Sequence, residues 1–249
     1  MSFNVDADAY DRFMGRYSVE LAPQMAEFAG IEAGKRVVDV GCGPGALTAE
    51  LVARGAQVSA AEPSPSFVEA ARTRYPSVDV RQASAEDLPF EDNEFDAALA
   101  QLVVHFMADP AGGIAEMARV TRTGGVVAAS VWDMGGGQAP LSPYWRAARE
   151  LDSGVQGEDS RAGAAEGQLR ELFTRVGLND VEEAAQTVHV DHATFEEWWR
   201  PFTLGVGPAG QHYQQLDADR QKALEERLRD HLGEPVRLET RAWAARGIV

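Results

Sequence analysis

A short β-branched run, Arg36–Val40, ends directly in a glycine cluster at 41–45 (GCGPG) and continues into a helix-forming stretch at 46–54. Glycine permits the positive φ angles that a tight turn needs. A strand that turns straight into a helix is typical of a parallel sheet, because parallel neighbours require a long crossover between them. This unit therefore predicts a sheet that begins with parallel strands joined by helices.

Apolar runs and helix-forming stretches alternate through the following part of the chain. The predicted strands are 58–61, 78–81, 95–99 and 125–131, and the predicted helices between them are 64–75 and 110–120. These runs are continuously apolar and do not alternate with polar residues, which is typical of strands that are covered on both faces. Upstream, Ser18 is a capping residue for a predicted helix with Leu21 and Met25 on one face.

The pattern changes after Trp132. We expect a long, partly ordered connection at 134–164, a helix at 165–176, helices over 193–233 with a Gly/Pro break at 205–210, and strands at 180–190 and 235–246. The two late strands lack the crossover spacing of the earlier ones and are predicted to pair antiparallel. The expected fold is α/β: a doubly wound, mostly parallel seven-stranded sheet with an antiparallel C-terminal strand pair and helical insertions.

Charge and cysteine content exclude several classes of function. The net charge of −16 disfavours a general nucleic-acid binder, because such a surface repels phosphates. Cys42 is the single cysteine, so neither an intramolecular disulfide nor a cysteine zinc site can form. His189 and Asp191 share one face of a predicted strand and His192 the other, which leaves too few ligands for a metal site.

Localisation follows from two further stretches. The first residues lack the basic start and apolar core of a signal peptide. The most apolar stretch, 97–107, is far shorter than the roughly 20 residues of a membrane span. We expect a cytoplasmic protein with no membrane span.

The glycine turn and a downstream carboxylate indicate a nucleoside site. Glu62 lies 21 residues after Gly41, at the end of the second predicted strand, where a carboxylate can accept both hydroxyls of a ribose. Gly41, Gly43 and Ala46 also satisfy the dinucleotide fingerprint with alanine in third place. The turn by itself therefore fits either a nicotinamide dinucleotide or S-adenosylmethionine.

Four segments in order resemble the class I S-adenosylmethionine-dependent methyltransferases, in particular the ubiquinone/menaquinone-biosynthesis-like (methyltransferase type 11) group. The segments are VVDVGCGPG (37–45), AAEPS (60–64), SAEDLPFEDNEFD (84–96) and DPAGGIAEMARVTRTGGVVAASVWD (109–133). The resemblance covers about residues 35–133, and AWAARG (242–247) resembles the terminal strand of the family. The dinucleotide alternative explains the segments 84–96 and 109–133 poorly.

The resemblance implies a cofactor role for each matching residue. Gly41 and Gly43 would form the backbone surface under the methionine moiety, with Cys42 between them and Asp39 ordering the loop. The predicted ligand of the ribose diol is Glu62.

Further matching residues are assigned to the adenine and amino-acid ends. Pro63 and Ser64 would lie beside the adenine, with the Ala85 N–H on its ring and Glu86 near its exocyclic amine. Gln101 would contact the amino-acid end. Many relatives have Asp where this chain has Ser84, so the amine contact shifts to Glu86 or weakens.

The segments outside the core are assigned to the ligands that they would cover. The division of the single domain is 1–34 as cofactor-covering helices, 35–133 as the cofactor-binding core, 134–164 and 193–233 as a substrate lid, and 235–249 as the terminal strand. Tyr10 and Arg16 would close on the methionine end, Arg16 on its carboxylate, with a surface helix that carries an i,i+4 charge pattern as the alternative. Of the neighbours Trp198 and Trp199, one is expected to pack and the other to line a pocket or an interface, with an ordinary helical cap that binds no ligand as the alternative.

The implied reaction is in-line methyl transfer to a small organic acceptor, achieved mainly by positioning and yielding S-adenosylhomocysteine. His105 is the candidate catalytic base, with a hydrogen-bonded structural residue as the alternative. No metal and no nucleic acid is expected to take part. Two other functions remain open at this point, a nicotinamide-dependent oxidoreductase and a non-catalytic S-adenosylmethionine-binding protein.

Overall fold

A computed structural model describes residues 7–205 and 207–249, which form one seven-stranded sheet flanked by helices. Its strands are β1 Arg36–Val40, β2 Gln57–Glu62, β3 Asp79–Gln82, β4 Phe95–Gln101, β5 Thr121–Trp132, β6 Asn179–His192 and β7 Val236–Ile248. The order across the sheet is β3-β2-β1-β4-β5-β7-β6. Strands β1 to β5 pair in parallel, whereas β7 is antiparallel to both β5 and β6. The predicted fold class is confirmed.

Helices cover both faces of this sheet. They are α1 Ala7–Tyr10, α2 Arg16–Phe28, α3 Ala46–Ala53, α4 Pro65–Arg74, α5 Pro110–Val120, α6 Ser142–Leu151, α7 Gln168–Val176, α8 Phe195–Thr203, α9 Gly207–Gln215 and α10 Ala218–Leu232. A π-helical turn, Asp11–Gly15, joins α1 to α2, and a 3-10 turn, Val104–Phe106, follows β4.

Strand β4 illustrates how the core forms on both sides of the sheet. Its successive residues point to opposite faces, and every position at 97–100 is buried. Leu99 packs into the cluster of Met25 and Leu51, which belong to α2 and α3. Ala98 packs on the other face, into the cluster that contains Met117 of α5. Burial on both faces explains why the strand is apolar at 97–100.

The strand order places a crevice beyond the carboxyl ends of β1 and β4. From β1 the chain winds towards β2 and β3, and it then crosses back to place β4 on the other side of β1. Ligands of doubly wound sheets bind at such a switch point. The segments that leave these two strands, 41–45 and 102–107, therefore form the walls of the crevice.

The expectation of a partly ordered connection at 134–164 misses a helix. Helix α6 occupies Ser142–Leu151 and begins with Pro143 in its first turn, where proline is favoured. Tyr144, Ala147 and Ala148 on its inner face are buried against the lid helices, and this packing stabilises a helix that short-range pattern alone did not indicate.

The paired tryptophans both pack in the lid core, which agrees with the alternative of a helical cap without a ligand. Trp198 and Trp199 are both buried, with 3% and 4% of their surface exposed. Trp198 packs against Phe202, with ring centroids 4.8 Å apart, whereas Trp199 packs against Tyr213 at 5.0 Å. Trp198 lines a cavity of about 10 Å³, which is too small for an organic ligand.

Parts of two predicted segments lie outside the described residues. Residues 1–6 belong to the predicted N-terminal unit 1–34, and Val206 belongs to the predicted break at 205–210. Over residues 7–205 and 207–249, none of the helices is both long and apolar enough to cross a membrane.

The junction of β5 and β7 depends on a buried carboxylate. Asp133 is 1% exposed, and its side chain accepts hydrogen bonds from Arg241 at 2.6 and 2.9 Å and from the N–H of Gly136 at 2.8 Å. We expect Asp133→Asn to lower the free energy of unfolding by about 1.5–3 kcal/mol, the range of a hydrogen bond to a charged group. Urea unfolding measures this. Asp191→Asn, at an exposed position of β6, is the matched control and should leave the value unchanged; equal effects in both variants would contradict the assignment.

Candidate functional site

The glycine turn after β1 is packed too closely for side chains at two of its positions. The φ angle is +71° at Gly41 and +105° at Gly45, both in the left-handed region. A Cβ atom would lie 2.6 Å from a methyl of Val103 at Gly41 and 2.3 Å from the ring of Tyr75 at Gly45. The turn is therefore held between the segment that leaves β4 and the end of α4.

The carboxylate of Glu62 is buried at the end of β2 and is bound by the backbone on both sides. It accepts hydrogen bonds from the N–H of Gly43 at 3.0 Å and from the N–H of Ser64 at 2.9 Å, one on each oxygen. Burial raises the pKa of Glu62, and the two N–H groups oppose that rise. These bonds fix the carboxylate at the wall of the crevice, where a ligand can reach its remaining lone pairs.

Glu62 and eight other residues predicted to bind the cofactor line one cavity of about 290 Å³, here called the first cavity. These nine residues are Tyr10, Gly41, Gly43, Glu62, Pro63, Ser64, Ala85, Glu86 and Gln101. They come from four loops and from α1, so the fold brings together residues that are up to 91 positions apart. The remaining lining residues are Phe67, Ser84, Leu102, Val103, Phe106, Met107 and Ala108.

Two side chains of the first cavity have polar groups that matter for a ligand. Gln101 donates from Nε2 to the carbonyl of Ser18 at 2.9 Å, whereas its buried Oε1 has no hydrogen-bond partner within the described chain. Glu86 accepts from the N–H of Ala108 at 2.8 Å through Oε1. The unpaired Oε1 can accept a hydrogen bond from a ligand. Such a bond is favourable because a buried polar atom without a partner costs free energy.

Tyr10 covers the first cavity from the N-terminal side. Its ring packs against Phe67, with centroids 5.3 Å apart. Burial raises the pKa of Tyr10 to about 12, and the nearby charge of Glu62 acts in the same direction. The phenol therefore stays protonated at neutral pH.

The structure does not bring the other three predicted residues to the first cavity. Asp39 lies behind the glycine turn and accepts from the hydroxyl of Thr48 at 2.6 Å, which ties β1 to the first turn of α3. Burial raises the pKa of Asp39 to about 7. The Cys42 side chain packs into the cluster under α4 that contains Val68.

Arg16, the third of these residues, is bound to the C-terminal half of the chain. It pairs with Glu197 at 2.9 Å and donates to Nδ1 of His192 at the same distance. The other ring nitrogen of His192 contacts the hydroxyl of Tyr17 at 3.0 Å. Arg16 thus fastens α2 to α8 and does not line the cavity.

A second cavity, of about 380 Å³, adjoins the first and shares Tyr10, Leu102 and Phe106 with it. Most of its wall is apolar, and its other lining residues are Phe13, Met14, His105, Trp132, Met134, Gly137, Ala139, Pro140, Leu141, Ser142, Trp145, Arg146, Arg149, Glu150, Glu158, Asp159, Gly207 and Pro208. Such a volume is in the range of small-molecule sites.

His105 lines the second cavity and is deeply buried. Burial lowers its pKa to about 3, with the charge of Arg161 as a smaller cause, so the imidazole is neutral at neutral pH. Its Nδ1 has no hydrogen-bond partner among the described residues, and the guanidinium of Arg161 donates to its backbone carbonyl at 3.3 Å. A neutral imidazole with so low a pKa suits hydrogen bonding better than general-base catalysis.

Several lining residues were not predicted from the sequence. Leu102 and Phe106 separate the two cavities, and Leu102 has a positive φ of +64°, for which a leucine gives no signal. Arg146 was missed because α6 was missed, whereas Trp145 lies in the predicted lid segment 134–164. The Ser-Pro start of that helix at 142–143 was a usable signal.

The comparisons with known proteins agree with this geometry. Residues 38–129 match the family described as "Methyltransferase domain". An uncharacterized methyltransferase of Mycobacterium bovis is 38% identical over 125 residues, which is 50% of this chain and 49% of that protein. The chain thus spans about half the length of the curated relatives that it matches first.

Solved structures resemble almost the whole chain. The YcgJ protein of Bacillus subtilis has a TM-score of 0.60 at 20% identity, over 94% of this chain and 98% of that one. A phosphoethanolamine N-methyltransferase of Haemonchus contortus, in complex with phosphomonomethylethanolamine and S-adenosylhomocysteine, has a TM-score of 0.59 at 16% identity, over 100% of this chain and 60% of that one. At these identities the likeness concerns the fold.

The buried neutral imidazole predicts a pH effect on stability. Between pH 6.5 and about 3 the unfolded chain binds a proton at His105 that the folded chain does not, so acidification favours unfolding. We therefore expect the free energy of unfolding of His105→Gln to rise by about 2 kcal/mol relative to that of the wild type when the pH falls from 7.5 to 5. Urea unfolding at both pH values measures the difference, and parallel changes in the two proteins would contradict a buried neutral ring.

Proposed function

Over residues 38–129 the chain belongs to the class I S-adenosylmethionine-dependent methyltransferase family, and from that premise we propose that it transfers a methyl group to a small organic acceptor. The observation that carries the proposal is the pair of adjoining cavities. One is built on the glycine turn and the Glu62 carboxylate, and the other is apolar and meets it at Tyr10, Leu102 and Phe106.

The residues of the first cavity fit S-adenosylmethionine. The carboxylate of Glu62 suits the ribose diol, and Pro63, Ser64, Ala85 and Glu86 suit the adenine end. The backbone at 41–43 and the orphaned Oε1 of Gln101 suit the methionine end, where an ammonium can donate to the amide oxygen. The resemblance to a fold that binds S-adenosylhomocysteine supports the same cofactor.

When bound, S-adenosylmethionine supplies a methyl group on a sulfonium, which is displaced in line by the acceptor. The chain contributes by holding the two ligands on either side of Tyr10, Leu102 and Phe106 and by excluding water between them. His105 is the candidate group that touches the acceptor. Because its pKa is lowered to about 3, we assign it a hydrogen-bonding role in orienting the acceptor and assign most of the catalysis to positioning.

The lid of the proposed enzyme is mainly the segment 134–164. It supplies most of the wall of the second cavity, whereas the described part of 193–233 contributes Gly207 and Pro208 and otherwise supports the segment from behind. An apolar cavity of this size and a net charge of −16 favour a small organic acceptor over a nucleic acid.

Calorimetric titration with S-adenosylhomocysteine, NADH and NADPH tests the proposal. The demethylated product probes the first cavity without turnover. Micromolar binding of S-adenosylhomocysteine together with no binding of either nicotinamide is the expected result. Binding of NADH alone would replace the proposal with a dinucleotide-dependent activity, for which Gly41, Gly43 and Ala46 have the required spacing.

The buried carboxylate of Glu62 yields a specific prediction. We expect Glu62→Gln to weaken the binding of S-adenosylhomocysteine by about 1.5–3 kcal/mol, the range for hydrogen bonds to a charged group. Calorimetry measures the loss, and thermal unfolding checks that the variant is folded. Glu69→Gln makes the same chemical change at an exposed position of α4 and should bind as the wild type does. Unchanged affinity in Glu62→Gln would remove this carboxylate from the site.

A second prediction separates the two cavities. His105 lines the second cavity and not the first, so His105→Ala should leave the affinity for S-adenosylhomocysteine within about twofold of the wild type. Calorimetry on the folded variant measures it. A tenfold or larger loss would mean that His105 serves the first cavity.

A further inference from the structure

One face of α6 runs along the second cavity. The residues of this face are Ser142, Trp145, Arg146, Arg149 and Glu150. The last four lie three, four, seven and eight positions after Ser142, which is the spacing of a single helical stripe. The opposite stripe is buried in the lid core, which fixes the rotation of the helix and therefore the direction of the cavity-facing side chains.

The acidic residues of the second cavity are each paired with a cation. Asp159 pairs with Arg149, Glu158 pairs with Arg161 at 3.4 Å, and Glu150 pairs with Arg227 at 2.6 Å. In Glu158, which is 5% exposed, the carboxylate also accepts from the indole N–H of Trp145 at 3.3 Å. The carboxylates are thus neutralised by contacts within the protein.

Arg146 differs from these charged neighbours. It is exposed, lines the second cavity without lining the first, and has no hydrogen bond or ion pair within the described chain. An exposed residue of a cavity wall lies at its opening. Arg146 therefore leaves one uncompensated positive charge at the mouth of a cavity whose interior includes Phe13, Trp132 and Met134.

This arrangement specifies a type of ligand. A small apolar molecule gains free energy by burial against the aromatic and aliphatic wall. A carboxylate on the same molecule would gain from the planar guanidinium at the mouth, which can donate two hydrogen bonds to such a group in bidentate geometry. The chain as a whole carries a net charge of −16, which repels anions, so the local cation favours the entry of an anionic molecule.

We infer that the second cavity binds a small amphipathic carboxylate, with its apolar body inside and its carboxylate on Arg146. The reactive end of the molecule lies at the junction formed by Tyr10, Leu102 and Phe106, away from the carboxylate. The identification of this molecule as the methyl acceptor rests on the proposed function. The preference of the cavity for an apolar anion does not depend on the proposed function.

Three naphthalene probes of equal body and different charge test the inference. They are 2-naphthoate, 2-naphthalenemethanol and 2-naphthalenemethylamine, titrated by calorimetry with and without S-adenosylhomocysteine. We expect the anion to bind the wild type about tenfold more tightly than the alcohol, which is the effect of a partly desolvated charge-assisted pair. Equal binding of anion and alcohol, preference for the amine, or no measurable binding of the anion would overturn the inference.

Variants of Arg146 assign the preference to this residue. In Arg146→Met, which keeps the apolar stem, the tenfold preference should disappear, whereas Arg146→Lys should retain part of it. Arg170→Met is the matched control at an exposed position of α7 and should behave as the wild type does. A preference that survives in Arg146→Met would also overturn the inference. Failure of S-adenosylhomocysteine to bind would contradict the proposed function alone, because the probe preference is measured without it as well.

Discussion

The carboxylate of Glu62 and the two backbone N–H groups that it accepts are the contact on which the site depends. The bonds to Gly43 and Ser64 join the turn after β1 to the turn after β2. A buried charge is costly unless it is satisfied, so the glycine turn must come close enough to donate. The positive φ angles of Gly41 and Gly43 allow that approach. The wall of the first cavity is thus fixed before any ligand arrives.

The second cavity depends on segments that lie outside the sheet. Residue 102 leaves β4 in a left-handed conformation and, with Phe106, divides the two cavities, while Tyr10 closes both from the N-terminal side. Helix α6 forms the far wall. Arg16 connects α2 to Glu197 of α8, so the N-terminal cover and the lid core are held to each other. The first cavity thus lies at the ends of the strands, and the second cavity lies under helices.

The sheet and the first cavity could be predicted because their signals are local. An apolar strand that runs into glycine or proline fixes both the element and its end, as at Arg36–Val40 and Gly41. The glycine turn and Glu62 follow from the same signals, whereas the resemblance to the methyltransferase family implied the roles of Pro63, Ser64, Ala85, Glu86 and Gln101. The contacts of Arg16 could not be predicted from the sequence, because its partners Glu197 and His192 lie about 180 positions away and only tertiary packing brings them near. Leu102 was missed because a leucine gives no signal for a left-handed conformation, and Arg146 was missed because α6 was missed.

A crystal structure of the protein with S-adenosylhomocysteine tests the central claim most directly. We expect both ribose hydroxyls within about 3 Å of the Glu62 carboxylate, with the bonds from Gly43 and Ser64 retained. We also expect the sulfur to lie towards the junction at Tyr10 and Leu102, facing the second cavity. A nucleoside bound elsewhere, with Glu62 still contacting only backbone, would contradict the account.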